Sequence, residues 1–175
     1  MKWWMLTGGL IGVLLLTGLA VYLVGRSLPA EHIAEGGREI GATVDMVAQR
    51  VWGVETQPQW RRRIARVEVS EREPGRVRYT EYVGRDAITF ELVEQEGGRR
   101  FESRIVSTDL PFGGRWLIAL DPIGEQRTRV SIREEGVVHS PMFRALGRYV
   151  FGHTATMEAY LNDLARSFEG TDHGA

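Results

Sequence analysis

The strongest constraint on this chain is the spacing of apolar positions between residues 66 and 132, where hydrophobic side chains alternate with polar ones. Val67 and Val69, then Val77, Tyr79 and Val83, fall on odd numbers, whereas Ile88, Phe90 and Leu92 fall on even ones. A period of two places such residues on one face of a strand, so each run predicts a half-buried strand. Further runs cover Phe101 to Val106, Trp116 to Leu120 and Val130 to Ile132. The separators are Glu73-Pro74-Gly75, Gly84-Arg85-Asp86, Glu96-Gly97-Gly98 and Pro122-Ile123-Gly124-Glu125, rich in residues that tolerate tight turns. Loops this short join antiparallel neighbours, which predicts a meander.

Two segments break the period. Asp45 to Glu55 places Val47, Val51 and Val54 at helical intervals behind an Asp able to cap the start. A short turn with Pro58-Gln59-Trp60 follows. After Ser140-Pro141, the positions Phe143, Leu146, Val150, Met157, Leu161, Leu164 and Phe168 predict a single long amphipathic helix. Ser140 suits its cap and Pro141 its first turn. Gly147 and Gly152 lower helix propensity and predict a close approach or a bend. The order, an early strand, short helices, about six strands and a terminal helix, is that of an α+β fold. A helix laid across a curved antiparallel sheet leaves room for a hollow, which is the candidate ligand site.

From Trp3 to Gly25 no residue is charged. At about 1.5 Å per residue this is roughly 34 Å of helix, long enough for a hydrocarbon core of about 30 Å. Trp3, Trp4 and Tyr22 lie near its ends, and Lys2 and Arg26 close it, as in a membrane anchor. The apolar run continues past Gly18-Leu19-Ala20, which favours an uncleaved anchor over a signal peptide. The expectation is a single-pass membrane protein with a transmembrane helix in residues 1–26, in contact with the lipid bilayer through residues 3–25. Residues 27–31 then form a linker, 32–169 one folded domain and 170–175 a disordered tail.

Composition closes several routes. The chain has 22 basic and 23 acidic residues, a balance that does not suggest nucleic-acid binding. It has no cysteine, which removes disulfides, thiolate nucleophiles and cysteine-ligated metals. Its one lysine is Lys2, so chemistry that needs a lysine amine in the folded domain has none. His32, His139 and His173 are scattered without the i, i+4 spacing of a helical metal site, and neither a metal nor a cofactor is expected.

Several segments together resemble one family. They are Val47 and Val51 through Pro58-Gln59-Trp60, Arg66-Val67-Glu68-Val69, and Leu110-Pro111-Phe112-Gly113-Gly114-Arg115-Trp116. To these add Thr128-Arg129-Val130-Ser131-Ile132 with Glu134, Ser140-Pro141-Met142-Phe143, Phe151-Gly152-His153-Thr154 and Tyr160-Leu161. In this order the chain resembles the START-like, or SRPBCC, superfamily over roughly residues 31 to 169, within the group of polyketide cyclase/dehydrase and lipid transport proteins. The resemblance implies a helix-grip fold, a sheet wrapped around the terminal helix over an apolar cavity that takes a hydrophobic small molecule. It also implies a first strand starting near His32, earlier than Glu39 where alternation alone starts it, with Gly36-Gly37 requiring a bulge or a break. The family shares no single catalytic motif, so the resemblance implies no mechanism.

The aromatic residues Trp60, Tyr79, Phe90, Phe101, Phe112, Trp116, Phe143 and Tyr160 are candidates to line the cavity, and equally to fill a core. His153 falls near Val150 and Met157 on the helix and is read as a base facing the cavity or, preferably, as a structural histidine. Glu134 shares a face with Val130 and Ile132, where Arg104 or Arg115 can pair with it. Glu81 shares a face with Tyr79, and the rarity of buried Glu favours a solvent-facing strand end. Arg61-Arg62-Arg63 reads as a solvated charged turn. Binding without reaction is the first reading; a cyclase or dehydratase using His153 with Glu134 or Tyr79 is the second.

Overall fold

A computed structural model describes residues 3–151 and 154–169, with side-chain surroundings over 11–149 and 154–169. Helix α1 (Trp3–Ser27) precedes strand β1 (Glu31–Ile40), helix α2 (Val44–Trp52) and the four-residue helix α3 (Gln57–Trp60). Six strands follow: β2 (Arg66–Glu73), β3 (Arg76–Val83), β4 (Asp86–Gln95), β5 (Arg100–Ile105), β6 (Phe112–Gly124) and β7 (Arg127–Val138). Helices α4 (Pro141–Leu146) and α5 (Ala155–Glu169) close the chain.

The seven strands form one antiparallel, curved sheet in the order β1-β7-β6-β5-β4-β3-β2. Strands β2 to β7 are the meander that the alternation predicts. Strand β1 leaves its sequence neighbours and closes on β7, pairing Glu31 with Val137 through to Ile40 with Thr128. The resemblance placed this strand correctly; alternation alone started it too late, because both of its faces are interrupted by small or charged residues. No bulge occurs at its glycines, which pair in register with Ile132 and Ser131. They serve close approach instead: a Cβ on Gly36 would lie 3.0 Å from Met157 Sδ, so α5 is seated directly on the strand there.

Helix α2 starts one residue earlier than the sequence reading, capped by Thr43, whose hydroxyl accepts from the Met46 amide at 3.3 Å. Asp45 sits inside the first turn. Val47, Val51 and Val54 are buried as the spacing predicts. Helix α5 buries Met157, Tyr160, Leu161, Leu164, Ala165 and Phe168 against the concave side of the sheet, the i, i+3, i+4 stripe of an amphipathic helix.

The single long terminal helix expected after Pro141 is corrected. Helix α4 ends at Leu146, a π-helical stretch runs Gly147–Phe151, and α5 begins at Ala155. The two pieces have different partners: α5 rests on the sheet, whereas α4 meets the end of α1. A Cβ on Gly25 would lie 1.8 Å from the Pro141 carbonyl oxygen, so the two backbones are in contact at that glycine. Arg144 ties the joint by donating to the carbonyls of Val138 at 2.7 Å and Leu28 at 3.4 Å.

The membrane expectation is also corrected. Among the described residues no helix is long and apolar enough to cross a membrane. The single-pass location, the transmembrane helix and the bilayer contact through residues 3–25 are therefore not supported. On α1 the side chains of Val13, Leu14, Leu15 and Leu16 are more than half exposed.

Candidate functional site

The interior between the sheet and α5 is not filled. A cavity of about 450 Å³ opens there, walled by β3 to β7, the segment after α3, and the start of α5. Its apolar wall comes from inward positions of successive strands, among them Val83, Ile88, Phe90, Ile105 and Phe112. Antiparallel pairing carries these positions across the sheet in register: Tyr79 faces Phe90, and Phe90 faces Ile105. Tyr79 and Phe90 stack with ring centroids 5.6 Å apart.

A polar station sits in this wall. Arg61 leaves the end of α3, where its amide donates to the Gln57 carbonyl at 2.7 Å, and its side chain turns inward. Nη1 of Arg61 donates to Gln57 Oε1 at 2.6 Å and also to the Glu81 carboxylate. Its guanidinium lies 5.2 Å from the centre of the Tyr160 ring, within cation–π range. Glu81 is 5% exposed. The expectation of a solvent-facing Glu81, and of Arg61 as part of a solvated turn, is thus overturned: each buries the other's charge. The pair is 20 residues apart in sequence, and no local pattern joins them.

Two phenols flank the pair. Burial pushes the Tyr79 hydroxyl well above its ordinary pKa, aided by the nearby Glu81 charge, while Arg61, Gln57 and Ser103 pull less strongly the other way. Burial likewise pushes Tyr160 up to about 12, with Arg61 opposing and Glu81 adding to the shift. Both are protonated at neutral pH, so each is a hydrogen-bond donor and not a base.

A second polar group crosses three strands. Trp116 and Glu134 are directly opposite in the β6–β7 register, and Trp116 Nε1 donates to Glu134 Oε2 at 2.9 Å. His32 Nε2, from β1, lies 3.2 Å from Glu134 Oε1. The partners expected for Glu134 are therefore corrected. Register places Arg115 opposite Glu135, to which it donates at 2.8 Å, and Arg104 reaches Glu91 at 2.6 Å. The imidazole fits because residue 136 is glycine: a Cβ there would lie 2.2 Å from His32 Cε1 and 2.5 Å from Nε2. Scatter of the histidines in sequence hid this, since the β1–β7 pairing joins residues about a hundred positions apart.

Of the residues expected to line a cavity, Tyr79, Phe90, Phe112, Trp116, Glu134, Phe143 and Tyr160 border this space. Three others do not. Trp60 packs edge-on against Tyr160, with centroids 5.5 Å apart, behind the wall. Phe101 is core, tilted against Trp52 at 6.3 Å. Met157 is fully buried and in contact with Gly36. His153 lies outside the described residues. Sequence reasoning missed His32, Gln57 and Arg61. Among the described residues no group of three or more His, Asp or Glu side chains is placed to hold a metal ion.

Residues 32–169 match the family model described as polyketide cyclase / dehydrase and lipid transport. No curated protein matches the sequence. Solved structures match it closely in shape. The Zhui aromatase/cyclase from Streptomyces sp. R1128 superposes with TM-score 0.69 at 16% identity, over 83% of this chain and 99% of that one. A START superfamily protein from Mycobacterium smegmatis gives 0.62 at 17%, over 79% and 97%. The di-domain aromatase/cyclase StfQ of the steffimycin biosynthetic pathway gives 0.66 at 13%, over 80% of this chain and 51% of that one. At these identities the likeness is one of fold alone: the helix-grip arrangement of a curved antiparallel sheet around a C-terminal helix.

Proposed function

We propose that this chain, which belongs to the polyketide cyclase/dehydrase and lipid transport family, holds a hydrophobic small molecule between its sheet and α5 without transforming it. The observation that carries this reading is the open interior, about 450 Å³ with predominantly apolar side chains around it. A ligand that buries about 300 Å² of apolar surface there gains about 7 kcal/mol before the losses of association. The aromatic residues Tyr79, Phe90, Phe112 and Trp116 supply stiff walls that lose little entropy on binding. The test is mass spectrometry of organic extracts from the purified protein. The reading expects an apolar compound at a stoichiometric level, lost when the cavity is filled by substitution. A folded protein that carries none and takes up no apolar probe contradicts it.

The His32–Glu134–Trp116 chain favours a second reading, a cyclase or dehydratase acting in the same cavity. A carboxylate fixed by an indole donor can orient an imidazole, and an oriented imidazole can move a proton on a bound ketone or alcohol. Tyr79 and Tyr160 could then donate to its oxygen. Conversion of the extracted ligand by the native protein, abolished by His32→Ala with binding retained, distinguishes this reading from simple carriage.

A further inference from the structure

We infer that the cavity selects neutral oxygenated molecules, with a hydroxyl or carbonyl at the polar station, and rejects carboxylates of the same size. The inference rests on the reading of the cavity as a site for an apolar ligand and specifies the polar end of that ligand. An arginine in an apolar cavity ordinarily marks a site for an anion. Here the charge is already cancelled. Arg61 and Glu81 have side chains only 14% and 7% exposed and are bonded directly to each other. Of the other carboxylates at the wall, Asp86 is exposed to solvent and the remaining two already have partners. Glu134 is held by Trp116 and His32, and Asp163 accepts from the Arg62 amide at 3.2 Å and from Arg166.

A carboxylate entering this space gives up its hydration and brings a net negative charge beside Glu81, with no buried unmatched cation among the described residues to receive it, since Arg63, the further arginine at the wall without an ion pair, is exposed to solvent. A neutral oxygen meets a different environment. Both side-chain hydrogen bonds of Arg61 run through Nη1, so Nη2 can donate to a ligand oxygen. The Tyr160 hydroxyl, also at the cavity wall, is a second donor. Glu81 thus acts as a permanent internal counter-ion that sets which class of polar group the arginine accepts.

The test compares 2-naphthol with 2-naphthoate at neutral pH, and 2-naphthoate with its methyl ester, by intrinsic tryptophan fluorescence of the full chain. The native protein is expected to bind the neutral members about tenfold or more tightly than the carboxylate. Glu81→Gln leaves Arg61 without its counter-ion and is expected to reverse the order. The double substitution Arg61→Gln, Glu81→Gln is again neutral and is expected to restore the preference for naphthol. The native comparison stands even if a variant fails to fold: naphthoate bound as tightly as naphthol overturns the inference while leaving the ligand cavity intact. An unchanged order in folded Glu81→Gln overturns it as well. Failure of all three probes to bind overturns both this inference and the reading beneath it.

Discussion

Replacing Gly136 with alanine isolates one contact of the site and gives a result whose sign can be worked out. Gly136 is not among the residues of positive φ, so its backbone conformation suits alanine. In a strand that exchange alone gains about 0.5–1 kcal/mol. Against this, the new Cβ lies 2.2 Å from Cε1, 2.5 Å from Nε2 and 3.0 Å from Nδ1 of His32. Contact at about 3.5 Å requires the ring to shift by about 1.3 Å. That displacement breaks its 3.2 Å bond to Glu134, a loss of about 0.5–1.5 kcal/mol, and crowding adds about 1–3 kcal/mol. The clash therefore outweighs the strand preference, and Gly136→Ala is expected to destabilise by about 1–3 kcal/mol in urea unfolding. In a His32→Ala background the ring is gone, so the same substitution should become neutral or stabilising. A double-mutant cycle reads the coupling, in which the strand preference cancels and the lost bond and crowding remain, expected at about 1.5–4.5 kcal/mol. Equal effects of Gly136→Ala with and without His32 would refute the placement of the imidazole over this glycine.

The other predictions concern strain and titration. At Gly114, φ is +141° and a Cβ would lie 2.5 Å from the Glu135 carbonyl oxygen, so Gly114→Ala should cost about 3 kcal/mol or more in the same unfolding assay. The raised pKa of Tyr79 and Tyr160 means that the fold favours their neutral forms, a stabilisation complete below the ordinary tyrosine value near 10. It is lost as pH rises, for Tyr160 between about 10 and about 12, so alkaline unfolding should set in there and recede in Tyr160→Phe. Glu91 behaves in the opposite sense. Arg104 first, then Arg78, hold its carboxyl below the ordinary value of 4.5, so its stabilisation is present above that pH and fades as pH falls through the depressed value. Glu91→Gln should flatten the acid limb of the stability curve, and an unchanged limb counts against the arginine cluster.

The meander was legible because burial of one sheet face imposes a period of two on every strand, and turns need Gly and Pro at fixed places. The stripe of α5 was legible for the same reason at a period of 3.6. What escaped was set by pairing at long range. Burial of Glu81 depends on Arg61, which local composition marks only as one of three surface arginines. Glu134 has His32 and Trp116 as partners because of the β1–β7 and β6–β7 registers, and a register between distant strands leaves no mark within either strand. The break between α4 and α5 follows from two different packing partners, although Gly147 hinted at it. Aromatic residues were identified as buried, but Trp60 and Phe101 fill the core while Tyr79 and Phe90 wall the cavity, a division that sequence periodicity cannot make because both groups point inward.

The central claim, an open interior that accepts an apolar molecule, is tested most directly by titrating the full chain with N-phenyl-1-naphthylamine, a neutral probe that fluoresces in apolar surroundings. Saturation at one site is expected in the native protein and in Ile33→Trp, where the substitution lies on the exposed face of β1. It should be abolished by the double substitution Ser103→Trp, Ile105→Trp, which sets two indoles into the cavity from β5. Saturable binding that survives the filled cavity unchanged contradicts the account, because the probe would then be bound elsewhere.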